Sequence, residues 1–215
     1  MMKAYWVKTN LFIKKLFSGY IWDIPNAEKS IYLTFDDGPT PEITAWVLQL
    51  LKKHKATATF FCIGKNIEEN VAIFQTIVTE GHSIGNHTYN HVNGWKTATA
   101  SYIENFDWCD RMISNFSPLP NYVKLFRPPY GKIKRSQAKY IKAEGYKIIM
   151  WDVLSADFDQ EITKEECLKN VISNVRPGSI IVFHDSVKAF ANLEYVLPKT
   201  LEFLDKNQYN YGTIQ

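Results

Sequence analysis

Short apolar runs rich in β-branched and aromatic residues recur about every 25 to 35 residues along this chain, with longer stretches of mixed polarity between them. No other feature of the sequence narrows the fold as far. The runs at 30–35, 56–63, 82–86, 125–127, 147–153 and 179–184, with a last one at 211–214, read as buried strands. Between them, 41–54, 66–80, 98–115, 136–144, 163–175 and 192–206 space their apolar residues as helices do, and Ile43, Val47, Leu50 and Leu51 share one face behind Pro41. Gly81 and Gly145 each follow such a stretch where a helix C-cap sits. Strict alternation implies parallel strands with helices outside, either an open doubly wound sheet or a barrel, and periodicity does not choose between them. Most strands end in an unusual polar residue, as when Phe35 gives way to Asp36 or Phe183 to His184. In parallel α/β folds the active site gathers at those C-terminal strand ends.

With 215 residues, 46% of them hydrophobic and 22% charged, the chain has the balance of one ordinary globular domain. No repeat, low-complexity tract or linker divides it. A net charge of +3 is too slight to argue for nucleic acid. Cys62, Cys109 and Cys167 are odd in number and have no C-x-x-C spacing, so reduced thiols and a cytoplasmic location are expected. Near the N-terminus Lys8, Asn10, Lys14 and Lys15 interrupt the apolar residues that follow Lys3, which leaves no export signal, and no run reaches the roughly 20 residues needed to span a bilayer. Residues 1–28 read as an N-terminal arm packed on a domain of residues 29–215. The basic and aromatic mix of 1–22 has rest on a membrane surface as its alternative.

Thr34-Phe35-Asp36-Asp37-Gly38-Pro39 closes the first strand with two adjacent carboxylates and a turn pair. Neighbours in a strand point to opposite sides, but a turn at Gly38 can swing both acids toward one cavity. Two carboxylates placed together repel unless a cation takes one and the other serves as a base. Taken alone, the stretch reads first as a tight turn with a helix cap. Segment 81–91 supplies a partner. His87 and His91 stand four apart, so on one turn of helix they would share a face and grip a single ion. With Asp37 they make a two-nitrogen, one-oxygen set, the ligand count of a hydrolytic site that leaves a position open for water. Zinc is the first choice for such a set, which also accepts cobalt, manganese or nickel.

The chain resembles the NodB-homology polysaccharide deacetylases, carbohydrate esterase family 4. Five pieces match in order: TFDDGP from Thr34, HTYNH from His87, RPPYG from Arg127, WDVLSADFD from Trp151 and VFHDS from Val182, together spanning about 70% of the chain. The resemblance implies an α/β fold, a distorted (β/α)7 barrel of the NodB-homology type, with a divalent metal and removal of N-acetyl or O-acetyl groups from sugars. Carried over residue by residue, it makes Asp37, His87 and His91 the metal ligands and Asp36 the general base, kept ionised and oriented by Arg127. The backbone N–H of Tyr130 would stabilise the oxyanion. His184 would be the general acid, its pKa raised by a carboxylate that is Asp157 first, with Asp152 and Asp159 in the same segment as alternatives. Pro129, Phe158 and Val182 would meet the substrate. Phe158 stands where many members carry tryptophan, which keeps an aromatic wall but loses an indole N–H. Trp95 offers a further surface for stacking a sugar or, equally, a rim aromatic covering the core. The expected partner is an acetylated carbohydrate, and oligomeric state is not legible. A non-catalytic carbohydrate-binding module on the same fold and a hydrolase of a non-sugar C–N bond are the competing readings.

Overall fold

The computed structural model describes residues 5–119 and 122–215, so residues 1–4 of the expected arm lie outside the described residues. From the N-terminus the elements are α1 (Leu11–Leu16), β1 (Ser30–Asp36), α2 (Ile43–Lys53), β2 (Ala58–Cys62), α3 (Gly64–Glu69), α4 (Val71–Thr79), β3 (Ser83–Asn86), α5 (Thr99–Phe116) and β4 (Leu125–Phe126). There follow α6 (Arg135–Ala143), β5 (Lys147–Ile148), β6 (Val153–Leu154), α7 (Lys164–Ile172), β7 (Ile180–His184), α8 (Val187–Lys206) and β8 (Asn210–Tyr211). The strands pair in the order β5-β4-β3-β2-β1-β7-β6, all parallel, with β8 parallel to β1. This is the curled seven-stranded half-barrel of the (β/α)7 fold, with helices outside.

Alternation along β1 divides its side chains between two layers. Ile31, Leu33 and Phe35 join the large core that also takes in residues of α2, α4 and α8, where Phe35 lies 5.0 Å from Phe60 and 5.8 Å from Phe183 between ring centroids. On the opposite face Tyr32 packs against an inner cluster of Phe61, Leu125, Ile149, Ile180 and Ile214. Thr34 and Asp36 follow Tyr32 on that inner side.

Four local expectations give way to the structure. The run 147–153 is two short strands on opposite edges of the sheet. The buried Arg127 side chain takes the carbonyls of Ile149 (Nε, 3.4 Å) and Met150 (Nη2, 3.0 Å), which removes them from any ladder and opens the barrel there. The helix expected over 66–80 is broken at Asn70, whose backbone is non-helical (φ −136°, ψ 49°) and whose amide donates to the Asn66 carbonyl, the competition that makes Asn a poor helix interior. The last helix begins at Val187, five residues before the expected 192. His87 and His91 do not lie on a helix: the chain leaves β3 into a loop in which Thr88 (φ 63°) and His91 (φ 53°) are left-handed.

Residues 5–28 pack on the domain and line the barrel's gap. Thr9 N–H donates to Asp152 O and Leu154 N–H to Val7 O along the β6 edge, while Ile21 N–H donates to Ile148 O and Met150 N–H to Ile21 O along the β5 edge. Two edges that would otherwise present unpaired backbone groups are thereby covered. Lys8 and Lys14 both reach the buried Asp152, at 2.5 Å each, and fasten the arm. No helix among the described residues is long and apolar enough to cross a membrane.

Candidate active site

The C-terminal ends of β1, β3, β4 and β7 converge on one cavity of about 430 Å³. Register places Asp36 beside His184. Arg127, fully buried after β4, lays its guanidinium 4.1 Å from the Phe61 ring centroid and donates to Asp36 Oδ1 (2.6 Å) and Thr34 Oγ1 (2.7 Å). Asp36 is oriented as expected, but its pKa moves upward: burial raises it, and the charges of Arg127 and His184 only partly offset that.

The turn that brings the second acid alongside the first is in the backbone of Asp37, whose φ of 80° is rare for a residue with a Cβ. Asp185 holds this turn from below. Its Oδ1 accepts from Gly38 N–H (3.1 Å) and its Oδ2 from the Thr44 hydroxyl (2.5 Å). A Cβ on residue 38 would stand 2.0 Å from that carboxylate, so only glycine fits. Burial pushes Asp185 up to about 8, with the nearby Asp37 charge adding to it against the hydrogen bonds. Asp185 was missed in the sequence, although it follows His184 directly inside a matched motif.

Asp37 Oδ1 is buried and has no hydrogen-bond partner. It lies 3.2 Å from His91 Nε2 and 3.7 Å from His87 Nε2. The ligand atoms of the three residues all fall within 4.8 Å of one another, the one group among the described residues able to hold a metal ion. His87 Nδ1 meets the Arg127 carbonyl at 2.7 Å, and since a carbonyl only accepts, Nδ1 carries the proton and Nε2 presents its lone pair toward Asp37. Burial first, then mutual repulsion, moves His87 well below its ordinary pKa; burial also lowers His91 against the Asp37 charge. Neutral imidazoles, an orphaned carboxylate oxygen and an open side fit a divalent cation. The loop carrying His91 is held from α5, where the Asn105 carbonyl and side-chain oxygen accept from Tyr89 and Asn90 N–H.

Across the cavity Asp157, fully buried, accepts from His184 twice, at Nδ1 (2.7 Å) and at the backbone N–H (2.8 Å). Burial alone would lower His184, but this carboxylate outweighs it and lifts the pKa to about 9. The two alternatives are engaged elsewhere: Asp152 binds Lys8, Lys14 and Ser179, and Asp159 accepts from Tyr5 OH.

Phe158, Val182 and Tyr130 line the cavity, with the left-handed Tyr130 (φ 60°) placing its ring 4.6 Å from that of His91. Pro129 is buried beneath the turn, and Pro128 lines the cavity in its stead. Trp95 is outside the lining; its indole N–H is spent on the Ile133 carbonyl (3.2 Å). Tyr5, Trp151, Leu154 and Lys188 join the wall. Tyr5 comes from the arm and meets Phe158 edge-on at 5.4 Å. Its only sequence signal is the period-two pattern of Tyr5, Val7 and Thr9. Beyond Asp37, His91 and Lys188 the cleft continues into a cavity of about 560 Å³ of mixed lining, edged by Pro39, Ile63, Asn66, Glu69 and Val187.

Known proteins resemble this chain over most of its length. Residues 23–149 match the polysaccharide deacetylase family model. A peptidoglycan-N-acetylglucosamine deacetylase of Bacillus cereus is 35% identical over 202 residues, 92% of this chain and 92% of that protein, and a chitooligosaccharide deacetylase of Azorhizobium caulinodans is 33% identical over 75% and 76%. Among solved structures, a peptidoglycan N-acetylglucosamine deacetylase bound to a naphthyl N-oxidanyl-benzamide superposes with a TM-score of 0.84 at 31% identity, covering 91% of each chain. A CE4 family pseudoenzyme from Bacillus anthracis superposes at 0.79 with 26% identity, covering 90% of this chain and 66% of that one, so the architecture alone does not carry activity. The family model and the relatives matched over most of the chain place it in the polysaccharide deacetylase family.

Proposed function

We propose that the protein is a metal-dependent hydrolase that removes the acetyl group from N-acetylated amino sugar units of a glycan, with Asp37, His87 and His91 holding the ion. A divalent cation held by these residues, zinc first among the candidates, would supply Lewis acidity to a water molecule and to the acetyl carbonyl. Asp36, next to Asp37 and anchored by Arg127, takes the proton of the attacking water. The backbone N–H of Tyr130 donates to the oxyanion of the tetrahedral carbon. His184, kept protonated by Asp157, gives its proton to the departing sugar amine, and acetate leaves. Phe158, Trp151 and Tyr5 form an aromatic wall for a sugar ring, and Leu154 with Val182 an apolar floor for the acetyl methyl. Three free, buried cysteines suit a reducing compartment, and we assign the protein to the cytoplasm.

One observation carries this reading: a partnerless Asp37 oxygen facing two neutral imidazoles, with an oriented base on one side and a paired histidine on the other. Acetate release from chitooligosaccharide, peptidoglycan fragments and acetylated xylan tests it. Release from an amino-sugar substrate that stops in Asp36→Asn supports the proposal. No acetate from any of the three, with metal bound and the protein folded, would assign the chain to the non-catalytic side of its family.

A further inference from the structure

Helix α1 is turned inside out. At about 100° per residue, Leu11, Lys15, Phe12 and Leu16 share one face and Ile13 and Lys14 the other. An amphipathic surface helix buries its apolar face and shows its charges; here Lys14 points inward, to Asp152 and Asp23, and Ile13 packs on the cluster around Trp22, while Leu11, Phe12 and Leu16 stand 72%, 71% and 61% exposed. Phe17 continues the patch at 45% and stacks on Tyr20. Six residues of helix contribute no buried side chain, yet they are capped by the Asn10 side chain and fastened by Lys14. A fixed apolar face left open to solvent marks a surface made for a partner.

We propose that α1 docks the protein on the interface of an anionic phospholipid bilayer. Charge favours this occupant: residues 5–22 hold no acid, Lys15 lies within the apolar face and makes no ion pair among the described residues, and Lys142 stands over the Tyr20 ring at 4.9 Å. Asp23 and Asp152, the acids on which Lys8 and Lys14 are spent, are neutralised by those ion pairs. Size disfavours a second copy of the chain, since four or five side chains fall far short of the roughly 20 to 30 residues per side of a stable interface. Placement fits as well. Residues 7–9 run antiparallel to β6 and deliver α1 to the N-terminal end of the strands, whereas the catalytic cleft lies at their C-terminal ends. The docked protein therefore keeps its cleft open toward solution and a soluble glycan.

Flotation of the full chain with vesicles tests this directly, using phosphatidylcholine alone and phosphatidylcholine with phosphatidylglycerol in equal parts, at low and high salt. The protein is expected to float with the anionic vesicles, less at high salt and little with the neutral ones. Leu11→Ser/Phe12→Ser/Leu16→Ser is expected to weaken binding at least about tenfold, and Lys15→Glu to weaken it as well. Both variants should keep the parent melting temperature and the parent activity on soluble chitooligosaccharide, because none of these side chains is buried. Folded parent protein that stays with neither vesicle overturns the proposal, as does a triple variant that floats like the parent. A dimer in sedimentation that the triple variant abolishes, with vesicles unbound, assigns the patch to a second copy instead.

Discussion

Asp36 and Asp37 are chemically identical neighbours in the sequence, and their surroundings give them different work. Asp36 stays on the strand and is held by a buried guanidinium; Asp37 turns through a left-handed backbone and leaves an oxygen free. Asp36→Asn keeps the shape and loses the base, so kcat is expected to fall by about 10²- to 10⁴-fold with metal content unchanged. The pH profile follows from the two shifted groups. Activity should rise as Asp36 ionises, at a pH above the ordinary aspartate value because burial raises its pKa, and should fall as His184 loses its proton near about 9. In Asp157→Asn burial acts on His184 against only the weaker charges of Asp37 and Asp36, and the alkaline limb should move down from about 9. Stability carries the same sign: a folded pKa above the unfolded one makes the His184–Asp157 contribution complete below the unfolded value and lost as pH climbs through about 9. A pH–rate profile of the two proteins checks both limbs, and an alkaline limb unmoved in Asp157→Asn would remove His184 from the acid's role.

At the scale of elements, what could be read in advance and what could not divide along physical lines. Strands buried on both faces announce themselves as continuous apolar runs, so 30–35 and 179–184 were legible to within a residue. Segment 147–153 looked like one more such run because nothing local marks its break; the cause is Arg127, twenty residues earlier, taking its carbonyls. The His-x-x-x-His spacing suggested helix, yet the two rings are brought to 5.0 Å between centroids by left-handed Thr88 and His91 and by Asn105 on α5. The ligand set was readable while its backbone was not. Asp157 came ahead of Asp152 and Asp159 on resemblance alone, because the partners that separate the three, His184 on β7, Lys8 and Lys14 of the arm, and Tyr5, are brought near only by folding. The turn at Gly38 yields a prediction of its own. Gly38→Ala drives a methyl into Asp185 and should cost about 1 to 3 kcal/mol of stability while weakening metal affinity, since Asp37 rides on the same turn. Calorimetric melting with a metal titration measures both, and parent values for the two would show that Asp185 does not hold the turn.

For the whole molecule, the barrel's opening sets the role of the arm. Two strand edges separated by the β5–β6 gap are covered by residues 7–9 and 21, and Asp152 is fastened by Lys8 and Lys14. Removing residues 1–20 uncovers the β6 edge, strips Asp152 of both lysines and takes Tyr5 from the cleft wall. Association beyond that of the parent in light scattering and a lower melting temperature are expected, and a truncated protein that keeps the parent's oligomeric state and melting temperature would show that the edges need no cover. The arm thus completes the fold, lends one wall to the catalytic cleft and carries the exposed face of α1. All of the proposed chemistry rests on Asp37, His87 and His91 holding one divalent ion. Equilibrium dialysis against zinc with metal analysis of the dialysed protein tests that claim most directly. One ion per chain is predicted for the parent and for Asp36→Asn and none for Asp37→Ala; a parent that retains no ion, or an Asp37→Ala variant that retains it undiminished, contradicts the account.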